Sequence, residues 1–370
     1  PANTSGDQVG VVIKDGTTQS PATNVEVPLL APQLGDVNTT TGQLPVTGKP
    51  GSTVQLLDEN NNPIGTPTTL DDKGQGSITL PANTSGDQVG VVIKDGTTQS
   101  PATNVEVPLL APQLGDVNTT TGQLPVTGKP GSTVQLLDEN NNPIGTPTTL
   151  DDKGQGSITL PANTSGDQVG VVIKDGTTQS PATTVAVPLL APQLGDVNTT
   201  TGQLPVTGKP GSTVQLLDKN QNPIGTPTTL DDKGQGSITL PANTSGDQVG
   251  VVIKDSTTQS PATSVEVPLL APQLGSVNPE TGALPVTGKP GSTVQLLDQN
   301  NNPIGTPTTL DDKGQGSITL PANTSGDQVG VVIKDGTTQS PATNVEVPLL
   351  APQLGDVNTT TGQLPVTGKP

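Results

Sequence analysis

Read from Leu110, the chain alternates short apolar runs with polar, turn-forming segments. Leu114 and Val117 open a first strand. Gln123-Leu124-Pro125-Val126-Thr127-Gly128 predicts a second, and Pro125 points to an edge position or a bulge, because proline cannot donate to a sheet ladder. Thr133-Val134-Gln135-Leu136-Leu137 reads as a third, partly buried strand. Asp138 to Pro143 is a turn, and the Thr-rich run from Ile144 to Leu150 is the returning strand. Asp151-Asp152-Lys153-Gly154-Gln155-Gly156 turns again, with Gly154 able to take positive φ. Ser157-Ile158-Thr159-Leu160 alternates as a half-buried strand should, and Val169-Gly170-Val171-Val172-Ile173 is the most apolar run, hence central. Asp175-Gly176 closes a hairpin before Val185-Ala186-Val187. About seven short strands and no helical period predict an all-β, antiparallel, immunoglobulin-like sandwich.

The pattern has a period. Pro1-Ala2-Asn3-Thr4-Ser5-Gly6 returns at Pro81, Pro161, Pro241 and Pro321, a spacing of 80 residues. That exceeds a solenoid unit, which must stack on its neighbours, and approaches a self-contained sandwich. Complete domains are expected at 30–109, 110–189, 190–269 and 270–349. The C-terminal part of a repeat precedes them at 1–29, and the N-terminal part of another follows at 350–370. Pro108-Leu109-Leu110-Ala111-Pro112 predicts a short, stiff connector, so the array is expected to be an elongated rod. The mid-repeat ends leave strand edges that either a longer chain or another copy completes by strand exchange.

Composition sharpens this picture. There is no Cys, His, Met, Trp, Tyr or Phe, so a repeat's core rests on 19 Val, Leu and Ile side chains. At ~1.5–3 kcal/mol per fully buried side chain this closes a thin core with little reserve. The 45 Gly and 39 Pro fall just below the range at which disorder becomes the default reading, and the regular strand pattern argues for folding. A net charge of −18 excludes nucleic acid and anionic membrane as partners. No apolar run approaches the length of a membrane span.

Leu124-Pro-Val-Thr-Gly-Lys-Pro-Gly-Ser-Thr-Val-Gln-Leu, the Asn-rich turn before Ile144-Gly145, and Asp152-Lys-Gly-Gln-Gly-Ser-Ile-Thr-Leu-Pro resemble the bacterial immunoglobulin-like repeats of giant adhesins and biofilm-associated proteins. The resemblance covers every repeat. It implies a seven-stranded sandwich serving as an extracellular extender, with calcium at the junctions of some members. The aromatic residues common in such cores are missing.

Candidate chemistry is sparse. Asp58-Glu59-Asn60-Asn61-Asn62 begins like a calcium loop, but Pro63 stands at the required glycine and Thr69 at the bidentate Glu, which excludes an EF-hand. Solvated turn acids are the expectation. A looser calcium site from Asp36, Asp58, Asp71, Asp72 and their repeat equivalents is the alternative, weakened by Ser276 at the place of Asp36 and Lys219 at that of Glu59. Leu44-Pro45-Val46-Thr47-Gly48 matches a sortase signal, yet it recurs every repeat inside an expected strand. Lys14, Lys49 and Lys73 lie at turns or strand ends, and Glu26 becomes Ala186, which argues against Lys–Asn cross-links. Asn3-Thr4-Ser5 and Asn38-Thr39-Thr40 are glycosylation sequons that read more simply as turns, and the Thr are too scattered for an ice-binding array. Without His or Cys the usual bases and nucleophiles are missing, so no enzyme and no cofactor are expected. The sequence thus predicts a stalk on a bacterial surface whose partners are neighbouring repeats. Self-association into a filament or matrix, and a calcium-stiffened rod, are the alternatives.

Overall fold

The computed structural model of the chain describes residues 1–369. The chain divides into two compact units, Pro1–Pro188 and Leu189–Pro370. In the first unit, the repeat over 30–109 contains β1 (Gln33–Leu34), β2 (Gln43–Thr47), β3 (Thr53–Leu57), β4 (Pro63–Thr69), β5 (Gln75–Thr79), β6 (Gln88–Asp95), β7 (Thr98–Gln99) and β8 (Thr103–Glu106). β1–β2–β5 form one antiparallel sheet, and β4–β3–β6–β7 the other, with β8 also paired to β6. The strand not foreseen is β7, two residues that close the tight turn at Gly96, where φ is +59°. The same elements recur from Gln113–Leu114 to Thr183–Ala186. In the second unit they recur from Gln193–Leu194 to Thr263–Glu266 and from Gln273–Leu274 to Thr343–Glu346. The part-repeats keep fragments of the pattern: Gln8–Val11 pairs with Thr23–Glu26, and Gln353–Leu354 with Val366–Thr367.

Strand alternation builds the core. Leu44 and Val46 on β2 point inward while Pro45 between them is exposed. Leu44, Val46 and Ile78 of one sheet meet Val54, Leu56, Val89, Val91 and Ile93 of the other in a single buried cluster, so the sheets pack face to face. The same cluster returns in the second unit around Leu204 and Leu284. Leu29 packs against the first cluster, and Leu110 is buried in it.

Two local features depart from simple strand rules. Pro125 was expected at an edge or bulge, but its strand, Gln123–Thr127, is the central one of three. Its carbonyl accepts Gly115 N–H at 2.9 Å, just past the last paired residue of the two-residue strand Gln113–Leu114. N–H and C=O of one strand residue face the same side, so the missing donor falls where the ladder has already ended. The second feature is a bulge. Leu56 pairs with Ile64 and Val54 with Thr68, so Gly65, Thr66 and Pro67 stand opposite Gln55 alone. Gly65 reaches φ +66° to make the excursion. Buried Gln55 donates Nε2–H to the carbonyls of Leu56 and Ile64 at 3.1 and 2.9 Å, satisfying acceptors beside the interrupted ladder.

Candidate functional site: the face between consecutive repeats

The turn acids are spent on their own loops. Asp58 Oδ1 accepts the backbone N–H groups of Asn60 and Asn62 at 2.9 and 2.7 Å, and Oδ2 accepts Asn62 Nδ2–H at 3.0 Å. Those bonds, the Asn62 side chain first, hold the Asp58 carboxyl below its ordinary value of 3.8. Asp71 Oδ1 accepts Lys73 and Gln75 N–H at 2.9 and 2.8 Å, and is lowered for the same reason, with the Gln75 N–H the larger cause. Asp36 and Asp72 are exposed. Among the described residues, no three acidic side chains gather where a metal ion could sit.

The other sequence candidates fall into place as structure. Leu44 and Val46 are buried in the core, so the sortase-like segment of the complete repeats is closed to a protease. Lys49 is ion-paired with Asp95, and Lys129, Lys209 and Lys289 repeat the pairing with Asp175, Asp255 and Asp335. Lys14, Lys73 and Glu26 are exposed, unlike the buried groups that a Lys–Asn cross-link needs. Asn38 Oδ1 caps the N–H groups of Thr40 and Thr41 at 3.0 Å each, a turn-forming role.

What sequence reading missed lies between repeats. After β5 the chain makes a 3₁₀ turn, Ala82–Thr84, pinned by Ser85, which donates Oγ–H to Ala82 C=O at 2.7 Å and accepts Leu110 N–H at 3.1 Å. This turn abuts the next repeat: Asn83 Nδ2 donates to Lys153 C=O at 3.4 Å. Beside the contact runs a cleft of about 740 Å³, lined by Asp58, Glu59 and Asp87 of one repeat and Asp152 and Lys153 of the next. Most of its lining is repeated: the places of Asp58, Asp87, Asp152 and Lys153 hold the same residue in every complete copy, and only those of Glu59 (Glu139, Lys219, Gln299), Asn61 (Asn141, Gln221, Asn301) and Asn104 (Thr184, Ser264, Asn344) change. The signal available in the sequence was that Ala82–Gly86, Lys129–Gly131 and Asp152–Gly154 recur unchanged in every copy that contains them.

No protein-family model and no curated protein matches the chain. Among solved structures, a tetra-tandem repeat from the extending region of a large adhesion protein aligns at 18% identity, covering 86% of this chain and 99% of its own, with a TM-score of 0.19. The BSP domain of a biofilm-associated protein aligns at 12% identity over 86% of this chain and 95% of its own, with a TM-score of 0.22. A two-domain fibronectin type III segment of chicken tenascin aligns at 13% identity over 42% of this chain and 95% of its own, with a TM-score of 0.19. The first two belong to the class that the sequence motifs resemble. Scores this low carry no argument for function, which has to come from the chain's own residues.

Proposed function

We propose that this chain is a non-catalytic, length-setting stalk of an extracellular bacterial adhesin or biofilm protein. The observation that supports it is the repetition of one complete core. The cluster around Leu44, Leu56, Ile78 and Ile93 returns residue for residue around Leu204 and Leu284. One scaffold repeated in series favours span, since length grows with each copy. An enzyme is disfavoured because the sequence has neither His nor Cys to serve as base or nucleophile.

Deleting residues 110–189 removes one period and leaves a junction of unchanged sequence. Small-angle scattering of the full and shortened chains is expected to show the maximum dimension falling by about 35–45 Å, the span of strands at ~3.3 Å per residue with their turns and connector. An unchanged dimension overturns the reading. Light scattering on the same samples distinguishes a lone stalk from a filament, which would give a mass above that of one chain.

A further inference from the structure

The contacts between repeats form a built interface. At Gly86, φ is +89° and a methyl group would lie 3.2 Å from Lys129 Cε of the following repeat, so the lysine stem is laid across a glycine that has no side chain to obstruct it. The geometry returns at Gly246, 3.1 Å from Lys289 Cε, and at Gly6, 3.1 Å from Lys49 Cε. The second point of contact is Gly154, at φ +71°, where a methyl group would sit 2.8 Å from Asn83 Cβ and 2.1 Å from Gly128 C=O. Gly314 and Gly74 receive Asn243 and Asn3 in the same way, at 2.9 and 3.0 Å. Asn243 Nδ2 also repeats the bond of Asn83, to Lys313 C=O at 3.4 Å. The Lys129 ammonium is meanwhile held by Asp175 of its own repeat, which fixes the stem where the preceding glycine meets it.

We infer that the turn Ala82–Gly86 and the corner formed by Lys129 and Gly154 are a self-complementary docking face, specific for another copy of this repeat, that holds neighbours at a fixed angle. Two glycines at positive φ let the Asn and the Lys lie close, although at Gly154 an added methyl would also meet Gly128 C=O of its own repeat. Every complete copy carries both halves unchanged, so any copy docks on any other, and copies can be added or lost without redesigning the joint. This deepens the stalk reading but does not share its test: the scattering increment can hold while the joints are loose.

The chain has no cysteine, so paired spin labels can be placed cleanly. In the full chain with Gln99→Cys and Gln179→Cys, both exposed, double electron–electron resonance is expected to give one narrow distance distribution. Adding Asn83→Ala and Lys129→Ala is expected to broaden it at least twofold with the circular-dichroism spectrum unchanged. Asp175→Asn, which removes the ion pair but keeps the lysine stem, is expected to broaden it less. Should the double variant unfold, Asn83→Ala alone, which lies outside every strand, supplies the reading, again as broadening. A broad distribution in the parent, or an equal width in a folded variant lacking Asn83, overturns the inference.

Discussion

Replacing Gln215 by Leu isolates the energetic role of the bulge. Gln215 is only 7% exposed, and its Nε2 donates to Leu216 C=O at 3.0 Å and Ile224 C=O at 2.9 Å. Leu keeps the bulk and loses both donors. Leu216 and Ile224 remain paired in the ladder, so each carbonyl loses only its side-chain donor, at about 0.5–1.5 kcal/mol apiece. Added apolar burial offsets about 1 kcal/mol. The net loss is therefore up to about 2 kcal/mol, confined to one repeat. Site 215 is the useful copy because Lys219 and Gln221 give this repeat peptides of distinct mass. Hydrogen-exchange mass spectrometry can therefore assign the effect to its own repeat, which the near-identical copies would otherwise prevent. Amides that exchange through opening of that repeat are expected to lose up to about 30-fold in protection, with the repeat over 270–349 unchanged. Equal protection in variant and parent would show that water already reaches the bulge, and the account of Gln215 as its internal donor would fail.

Ser256 occupies a left-handed turn position, φ +52°, that is glycine in the other copies, so Ser256→Gly is expected to stabilise its repeat by roughly 0.5–1 kcal/mol in thermal unfolding, strain relief exceeding the added chain entropy. Asp58, Asp138, Asp218 and Asp298 are all lowered below 3.8 by turn hydrogen bonds, so their stabilisation is complete above about pH 4 and is lost as pH falls through the folded values. Melting temperatures measured from pH 2 to 7 should show this fall, and the fourfold Asp→Asn variant should flatten it. Pro67 and its equivalents interrupt the exposed outer strand within its bulge, so changing Pro67, Pro147, Pro227 and Pro307 to Thr is expected to raise the mass seen by light scattering. An unchanged monomer mass would show that the bulge alone blocks pairing.

Strand positions were legible because they depend on alternation and turn chemistry within a few residues. Gln155–Thr159 and the long strand Gln168–Asp175 lie where Ser157–Leu160 and Val169–Ile173 indicated. Pro125 was misplaced because a proline's cost depends on how far the neighbouring strand extends, and the two-residue length of Gln113–Leu114 has no local signature. Gln55 looked like a polar interruption of an apolar run, and its donor role appears only once the register skips beside it. The turn acids lie at loops, yet most of their partners are backbone groups, which every sequence supplies and none advertises. The docking face was invisible for a further reason: Asn83 and Gly154 lie seventy-one positions apart, and each has a sufficient local explanation as a turn residue.

Charge placement ties the folded repeat to the joint. The chain carries −18, so consecutive repeats repel at long range, and any contact between them has to overcome that. The repeat over 110–189 has three lysines, and two of them, Lys129 and Lys153, lie on its face toward the preceding repeat, where Asp58, Glu59 and Asp87 line the shared cleft. The third, Lys174, sits within the sheet opposite Thr133. Cations are thus placed beside the acids that face each other at the joint. Surface pairs of this kind are individually weak, about 0–1 kcal/mol, and salt reduces them further. They set orientation and oppose repulsion, while the glycine-lined fit of Asn83 and the Lys129 stem supplies specificity. The drift from Glu59 to Lys219 is tolerable for that reason: it weakens the electrostatic part of one joint and leaves its steric fit untouched.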